Sequence, residues 1–296
     1  WPTKPIRLVV GFPAGSSPDL TARTLSEPLS QALGQPVVVD NKPGAGGNIA
    51  ADAVAKAAGD GYTFLFAPSS AILINPVILD KMPYDPERDL VPVSQVGAAG
   101  ILLVANPSTG FKNLADMVAY AKANPGKLNY GTAGTSIHLA VEFFSGLAGI
   151  KMNHIPYKGR APAVTDLIGG QIQVLFDPFS SIYPQVSSGK ARGLAITTPV
   201  RSKVAPNIPT VNESGYSGVD ISSWQGILVP AGTPKEIIKK INAAMNKVLA
   251  SAEVTEKFAQ FSAVPTPWTP EQFGDYNKKE QVSWGQLAKD AGIKPE

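Results

Sequence analysis

The segment Ala14-Gly15-Ser16-Ser17-Pro18-Asp19-Leu20 returns at a constant offset of 119 residues as Ala133-Gly134-Thr135-Ser136-Ile137-His138-Leu139. Each copy follows a predicted strand, the apolar run Ile6 to Phe12 (IRLVVGF) for the first and Leu128 to Tyr130 for the second, and each opens a helical stretch. A chain that repeats a strand–turn–helix junction so far apart is expected to fold as two α/β halves. Its 296 residues fit that, being roughly twice a usual single domain.

The rest of the chain keeps the same alternation, the pattern of α/β architecture with mixed, mainly parallel sheets. Strands are predicted at Val37 to Asp40, Thr63 to Ala67, Asn153 to Pro156, Gln173 to Asp177 and Arg192 to Thr197. Helices are predicted at Asn113 to Ala123, Ser136 to Gly146 and Pro162 to Ile168. Ser17 reads as the N-cap of the first helix, with Pro18 in its first turn and Asp19 complementing its positive end. Thr233-Pro234-Lys235-Glu236 and Thr269-Pro270-Glu271-Gln272 both read as capping boxes. Two long β segments, Val93 to Asn106 bent at Gly97 and Gly100 and Val219 to Val229 around Trp224 and Gly226, read as crossings between two Rossmann-like lobes. Lobe one is then residues 1–100 and 226–296, lobe two 101–225, with a ligand cleft between them in the manner of a hinged clamp.

The repeated junction carries the chemistry. Glycine lets backbone N–H groups approach a ligand, hydroxyls supply adjustable donors, and a helix start offers unpaired N–H groups with partial positive charge. In open α/β sheets ligands sit outside the carboxyl ends of the strands, where such loops lie. Ala14, Gly15, Ser16 and Ser17 in one half, and Ala133, Gly134, Thr135, Ser136 and His138 in the other, are therefore the candidate ligand-binding residues. A match of this length with four identities also arises by chance among Ala-Gly-Ser turns; its equivalent placement in both halves favours function.

Other candidates are less specific. Gly44-Ala45-Gly46-Gly47-Asn48 lacks the third small residue of a dinucleotide fingerprint, Ile49 standing there, and reads as a site wall near Asn48 or as a plain turn. Ser69 ends the third strand and either reaches the ligand or caps it. Arg160 can pair a ligand carboxylate or be a solvated surface residue. Asp177 can receive an amino or hydroxyl group or cap the next helix. His154 is expected to be structural; His138, in the first turn of the second repeated helix, can meet an anion.

Composition removes other classes. Cysteine is absent, so disulfides, thiolate metal sites and cysteine nucleophiles are excluded. The net charge of +3 is mild and its cations are scattered, which is no footprint for nucleic acid. No Gly-x-Ser-x-Gly, HExxH or P-loop motif is present, and no apolar window has the length of a membrane span. The start at Trp1 fits removal of an export leader.

The chain resembles the Bug-type extracytoplasmic solute receptors of tripartite tricarboxylate transporters. The likeness runs nearly end to end, through Trp1-Pro2-Thr3-Lys4-Pro5-Ile6, Gly44-Ala45-Gly46-Gly47-Asn48, Pro83-Tyr84-Asp85-Pro86, His154-Ile155-Pro156-Tyr157-Lys158-Gly159, Pro209-Thr210 to Glu213, Trp224-Gln225-Gly226 and Pro230-Ala231-Gly232-Thr233-Pro234. The resemblance implies the type II periplasmic-binding-protein (Venus-flytrap) fold and a periplasmic receptor that delivers a small organic acid to a membrane permease. It also implies that Phe12 to Ser17 and Thr132 to His138 hold the carboxylate through backbone groups and ordered waters. The chain departs from the pattern in three places. Ser16 stands where relatives often carry a second glycine, the second loop is shorter, and Arg160 replaces a small residue.

The expectation is a monomeric binding protein for a mono- or dicarboxylate, without catalysis, metal or cofactor. The rivals are an enzyme on the same fold, a ligand-sensing module, for which the chain has no spare signalling segment, and a receptor for an ATP-driven importer.

Overall fold

The computed structural model describes residues 1–133, 135–157, 159–198, 200–216, 223–260 and 263–290. The chain divides into two units: Trp1–Ala98, Ser223–Phe258 and Val264–Glu296 form unit one, and Ala99–Ser222 with Ala259–Ala263 form unit two.

Unit one runs β1 (Ile6–Val10), α1 (Ser17–Leu33), β2 (Val37–Asn41), α2 (Asn48–Ala55), β3 (Thr63–Pro68), α3 (Asn75–Ile78), α4 (Pro86–Asp89) and β4 (Leu90–Ala99). Unit two follows with β5 (Ile101–Ala105), α5 (Leu114–Ala123), β6 (Asn129–Thr132), α6 (Thr135–Ala148), β7 (Asn153–Pro156), α7 (Arg160–Ile168), β8 (Val174–Pro178), α8 (Phe179–Ser187) and β9 (Arg192–Ile196). The chain then supplies β10 (Ser223–Pro230), α9 (Lys235–Leu249), α10 (Ala252–Gln260), β11 (Ala263–Pro265) and α11 (Pro270–Asp290).

Two mixed sheets result. One has the order β11-β4-β10-β3-β1-β2, the other β7-β6-β8-β5-β9. In the first, β1 pairs in parallel with β2 and β3, while β10 is antiparallel to β3. In the second, β6 pairs in parallel with β7 and β8, while β5 is antiparallel to β8 and β9. Parallel strands covered on both faces need continuous apolar runs: β1 buries every residue but Arg7. Strand β5, paired on both sides in the second sheet, buries all five of its residues.

The helices follow from spacing. In α9, Ile238, Ile241, Met245, Val248 and Leu249 recur at three- and four-residue steps and are all buried. This helix packs on α1. The long β segment around residue 100 breaks at Gly100 alone and continues through Gly97. A Cβ at Gly100 would lie 2.7 Å from Ile196 Cγ1, so glycine there is a packing requirement. Residues 219–222 of the second crossing lie outside the described residues; its remainder falls in β10. There a Cβ on Gly226 would lie 2.5 Å from the ring of Phe273, whose edge meets Trp224.

Three helix-start expectations change or hold as follows from their partners. Helix α1 begins at Ser17, so Ser16 occupies the N-cap position, and Ser16 Oγ donates to Pro13 O (2.6 Å) and caps nothing. Thr233 Oγ1 donates back to Pro230 O, and no side chain caps α9, because Pro234 itself takes the cap position. Thr269 and Gln272 do form the reciprocal box, at 2.9 and 3.2 Å. A further reciprocal pair joins Thr210 and Glu213.

Candidate functional site

In unit one the parallel strands β2, β1 and β3 end side by side, and their three loops interlock through glycine. A Cβ at Gly11 would sit 2.8 Å from Gly47 Cα, and one at Gly46 would sit 3.1 Å from Asn75 Nδ2. Gly47 itself has φ +101°, left-handed backbone that glycine adopts freely. The glycine-rich segment is therefore the packing seam between neighbouring loops.

Phe12 to Ser16 is fixed by Asp19. This carboxylate is 1% exposed and accepts from Gly15 N–H (2.8 Å), Arg23 Nε (3.0 Å) and Asn41 Nδ2 (2.8 Å). Asn41 Nδ2 also donates to Phe12 O (3.0 Å), and Arg23 Nη2 to Asn41 Oδ1 (3.1 Å). Burial works to raise the Asp19 carboxyl; the donors, Arg23 foremost, outweigh it and hold the group below the ordinary carboxylate value. Sequence reasoning assigned Asp19 to the helix end alone, and ended the second strand at Asp40, one residue short of Asn41, the last residue of β2. Because Gly15 N–H is spent on Asp19, it is not a free donor of the loop, contrary to the simplest expectation for its glycine. Pro13, Ala14 and Gly15 are partly or fully exposed, and Gly15 has φ +80° with open space where a Cβ would point.

Asn48 and Ser69 are buried. Asn48 Oδ1 accepts from Asn75 Nδ2 (2.8 Å) and from the Tyr84 hydroxyl (2.9 Å), so it holds the loop floor. It is Ser70, not Ser69, whose hydroxyl reaches the glycine loop, donating to Gly46 O.

Unit two presents the same edge on β7, β6 and β8. Gly134 lies outside the described residues, as do the side chains of Ser17, Thr135 and Ser136. Around them the junction is held by a polar stack. The rings of His138 and His154 lie 3.8 Å apart at 9°, His154 Nε2 meets Thr132 Oγ1 at 2.8 Å, and His138 Nδ1 meets the Tyr130 hydroxyl at 2.9 Å. That hydroxyl donates to Glu142 Oε1. Burial lowers both imidazoles; His138 adds to the effect on His154, bringing it to about 4 despite Glu142. Both rings are thus neutral near pH 7, which sets His138 as a hydrogen-bonding wall in place of a cation. Sequence reasoning missed Tyr130 and Glu142; the spacing His138/Glu142 along one helix face was the available signal.

Arg160 begins α7, after β7, and Asp177 stands near the carboxyl end of β8. The register Gly131↔Leu175 pairs β8 with β6 two residues before Asp177 and two before Ala133, the start of the repeated loop. Arg160 Nε lies 3.5 Å from Asp177 Oδ1, and Arg160 Nη1 donates to Ser181 Oγ (3.1 Å). Asp177 does not cap α8, whose N-cap is Pro178 without a side-chain bond. Its Oδ2 is buried and has no hydrogen-bond partner among the described residues. Burial pushes this carboxyl up to about 7 against the pull of Arg160. Among the described residues, no cluster of three His, Asp or Glu side chains could hold a metal ion, and no helix is long and apolar enough to cross a membrane.

Two α/β units, each with a polar strand-to-helix loop at its carboxyl edge, define a protein with the fold of the periplasmic binding proteins. Residues 21–293 match the model of the tripartite tricarboxylate transporter family receptor (TctC), and the chain belongs to that family of solute-binding receptors. It is 39% identical to protein BugT of Bordetella pertussis, over 99% of this chain and 91% of BugT. Among solved structures it is similar to Rpa4515 of R. palustris with adipate, at TM-score 0.84 and 35% identity, covering 100% of both chains. It is also similar to MatC of Rhodopseudomonas palustris with bound malate, at TM-score 0.78 and 28% identity, covering 97% of this chain and 99% of that one.

Proposed function

We propose that this chain is an extracytoplasmic receptor that captures a small carboxylate and hands it to the permease subunits of a tripartite tricarboxylate transporter. The ligand's carboxylate engages both repeated loops, Phe12 to Ser17 of unit one and Thr132 to His138 of unit two. The observation that carries this reading is the equivalence of the loops: each leaves the carboxyl end of a parallel strand and opens a helix of more than three turns. Helix-start N–H groups and hydroxyls then supply donors to an anion without a buried fixed charge. Relatives solved with adipate and malate support an organic acid as the class.

Calorimetric titration of mono- and dicarboxylates against the wild type, Ser17→Trp and Ser136→Trp tests it. Each bulky residue is expected to weaken binding at least tenfold, as about 1.4 kcal/mol of lost contact. Unchanged affinity in both variants overturns the two-loop site. Steady-state conversion of the bound acid would instead favour an enzyme on this fold.

A further inference from the structure

Arg160 and Asp177 make an unusual pair. The carboxylate is 2% exposed and the guanidinium half-exposed, so the buried partner depends on one that solvent can reach. Their contact is loose: the 3.5 Å separation is an ion pair without a hydrogen bond, and Asp177 Oδ2 has no partner among the described residues. Breaking a buried pair normally leaves an uncompensated charge and is strongly destabilising. A buried carboxylate has a second course: it binds a proton and becomes neutral.

The groups facing Asp177 leave that course open. Leu175, on the same face of β8, clusters with Ala163 and Leu167 of α7, Phe179 and Ile182 of α8, and Leu102 of β5. From α7 the cation is Arg160, while Asp166 is engaged by the Tyr157 hydroxyl. From α8 the polar neighbour is Ser181, already bound to Arg160. On β5, Leu102 is the register partner of Asp177. Arg192 of β9 pairs with Ala105, at the other end of β5 from Leu102. His138, His154 and Glu142 group with Tyr130, whose ring packs on Phe176, and Phe176 points to the opposite face of β8.

Resting on the carboxylate reading of the loops, we propose that Arg160 and Asp177 select dicarboxylates. Arg160 turns to a ligand's second carboxylate, and Asp177, losing its counter-ion, takes one proton from solvent in the same event. The complex then holds one more proton than the free receptor, so affinity falls as pH rises, by at most tenfold per pH unit. A carboxyl already near 7 in the free protein places the effect between pH 6 and 8.

The test is titration calorimetry of succinate and adipate against butyrate and hexanoate, at pH 6, 7 and 8 and in buffers of low and high ionisation heat. Wild type is expected to bind dicarboxylates at least tenfold more tightly than their monocarboxylate partners, with uptake of about half a proton at pH 7 rising toward one at pH 8. Arg160→Ser is expected to bring the two series level. Asp177→Asn is expected to abolish both the proton uptake and the pH slope. The double variant R160S/D177N, whose pair is neutral, melts at or above the wild-type temperature and separates lost recognition from lost fold. Dicarboxylate preference that survives in Arg160→Ser, or a pH slope that survives in Asp177→Asn, overturns the proposal. Equal binding of both series by the wild type overturns the pair's role and leaves the two-loop site standing. Failure of both series to bind overturns the two together.

Discussion

Asp19, Asp177 and His154 show how sheet edges of one design treat three ionisable groups differently. Asp19 is supplied with three donors and stays ionised despite burial, whereas Asp177 has one loose cation and rises to about 7. Asp177→Asn is therefore expected to stabilise the protein at pH 8, where the native state must otherwise carry the buried charge. A gain on the order of 1–3 kcal/mol in denaturant unfolding would show it; the gain should shrink as pH falls from about 7 toward 4, where the native carboxyl is already protonated. Asp19→Ala removes the partner of Gly15, Arg23 and Asn41 together and is expected to cost about 1–3 kcal/mol, with weaker carboxylate binding measured alongside. His154 works with the opposite sign. Its folded value near 4 lies below the ordinary 6.5, so the native state binds fewer protons than the unfolded chain between those values, and stability from this group is lost as pH falls through that window. The stability difference between wild type and His154→Asn, followed from pH 7 to pH 4, is expected to narrow on acidification; a constant difference would contradict it.

At the scale of elements, apolar runs and turn residues located most strands and helices, because burial on both faces leaves a plain signature in β1 and β5. Caps were less legible. Thr233 and Thr269 carry the same local pattern, yet only Thr269 closes a box, since the turn carbonyl of Pro230 competes for the Thr233 hydroxyl. Thr269→Ala is accordingly expected to cost about 1 kcal/mol, while Thr233→Ala acts only through its turn; thermal unfolding of the two variants compares them directly. The two repeated loops were legible as a motif, but the residues that hold them were not. Asn41 reaches Asp19 across 22 positions of sequence, and Tyr130 reaches His154 across a strand pair. Such partners come from topology, which no local window contains. Gly226 belongs to the same class: its Cβ-free backbone accommodates Phe273, 47 residues away by chain number. Gly226→Ala is expected to destabilise by about 1–3 kcal/mol through overpacking, with partial rescue by Phe273→Leu.

For the whole molecule, membership of the TctC family fixes the class of protein. A ligand that binds only the folded receptor raises the melting temperature with concentration, by about 2.7 kcal/mol of added stability at a hundredfold excess over Kd. A thermal-shift series over organic acids is expected to show that rise for carboxylates and none for matched amides; a uniform flat response would count against the receptor reading. The strand order of the first sheet adds a consequence of another kind. β10 lies between β4 and β3, so residues from late in the chain fill the middle of a sheet begun at Ile6. During synthesis, β1, β2 and β3 emerge early and must wait for Ser223–Pro230 before that sheet is whole, whereas all five strands of the second sheet, β5 to β9, have by then left the ribosome. The middle of the polypeptide can thus mature before its beginning, and a chaperone holding the nascent protein would find its client surface near the N-terminus.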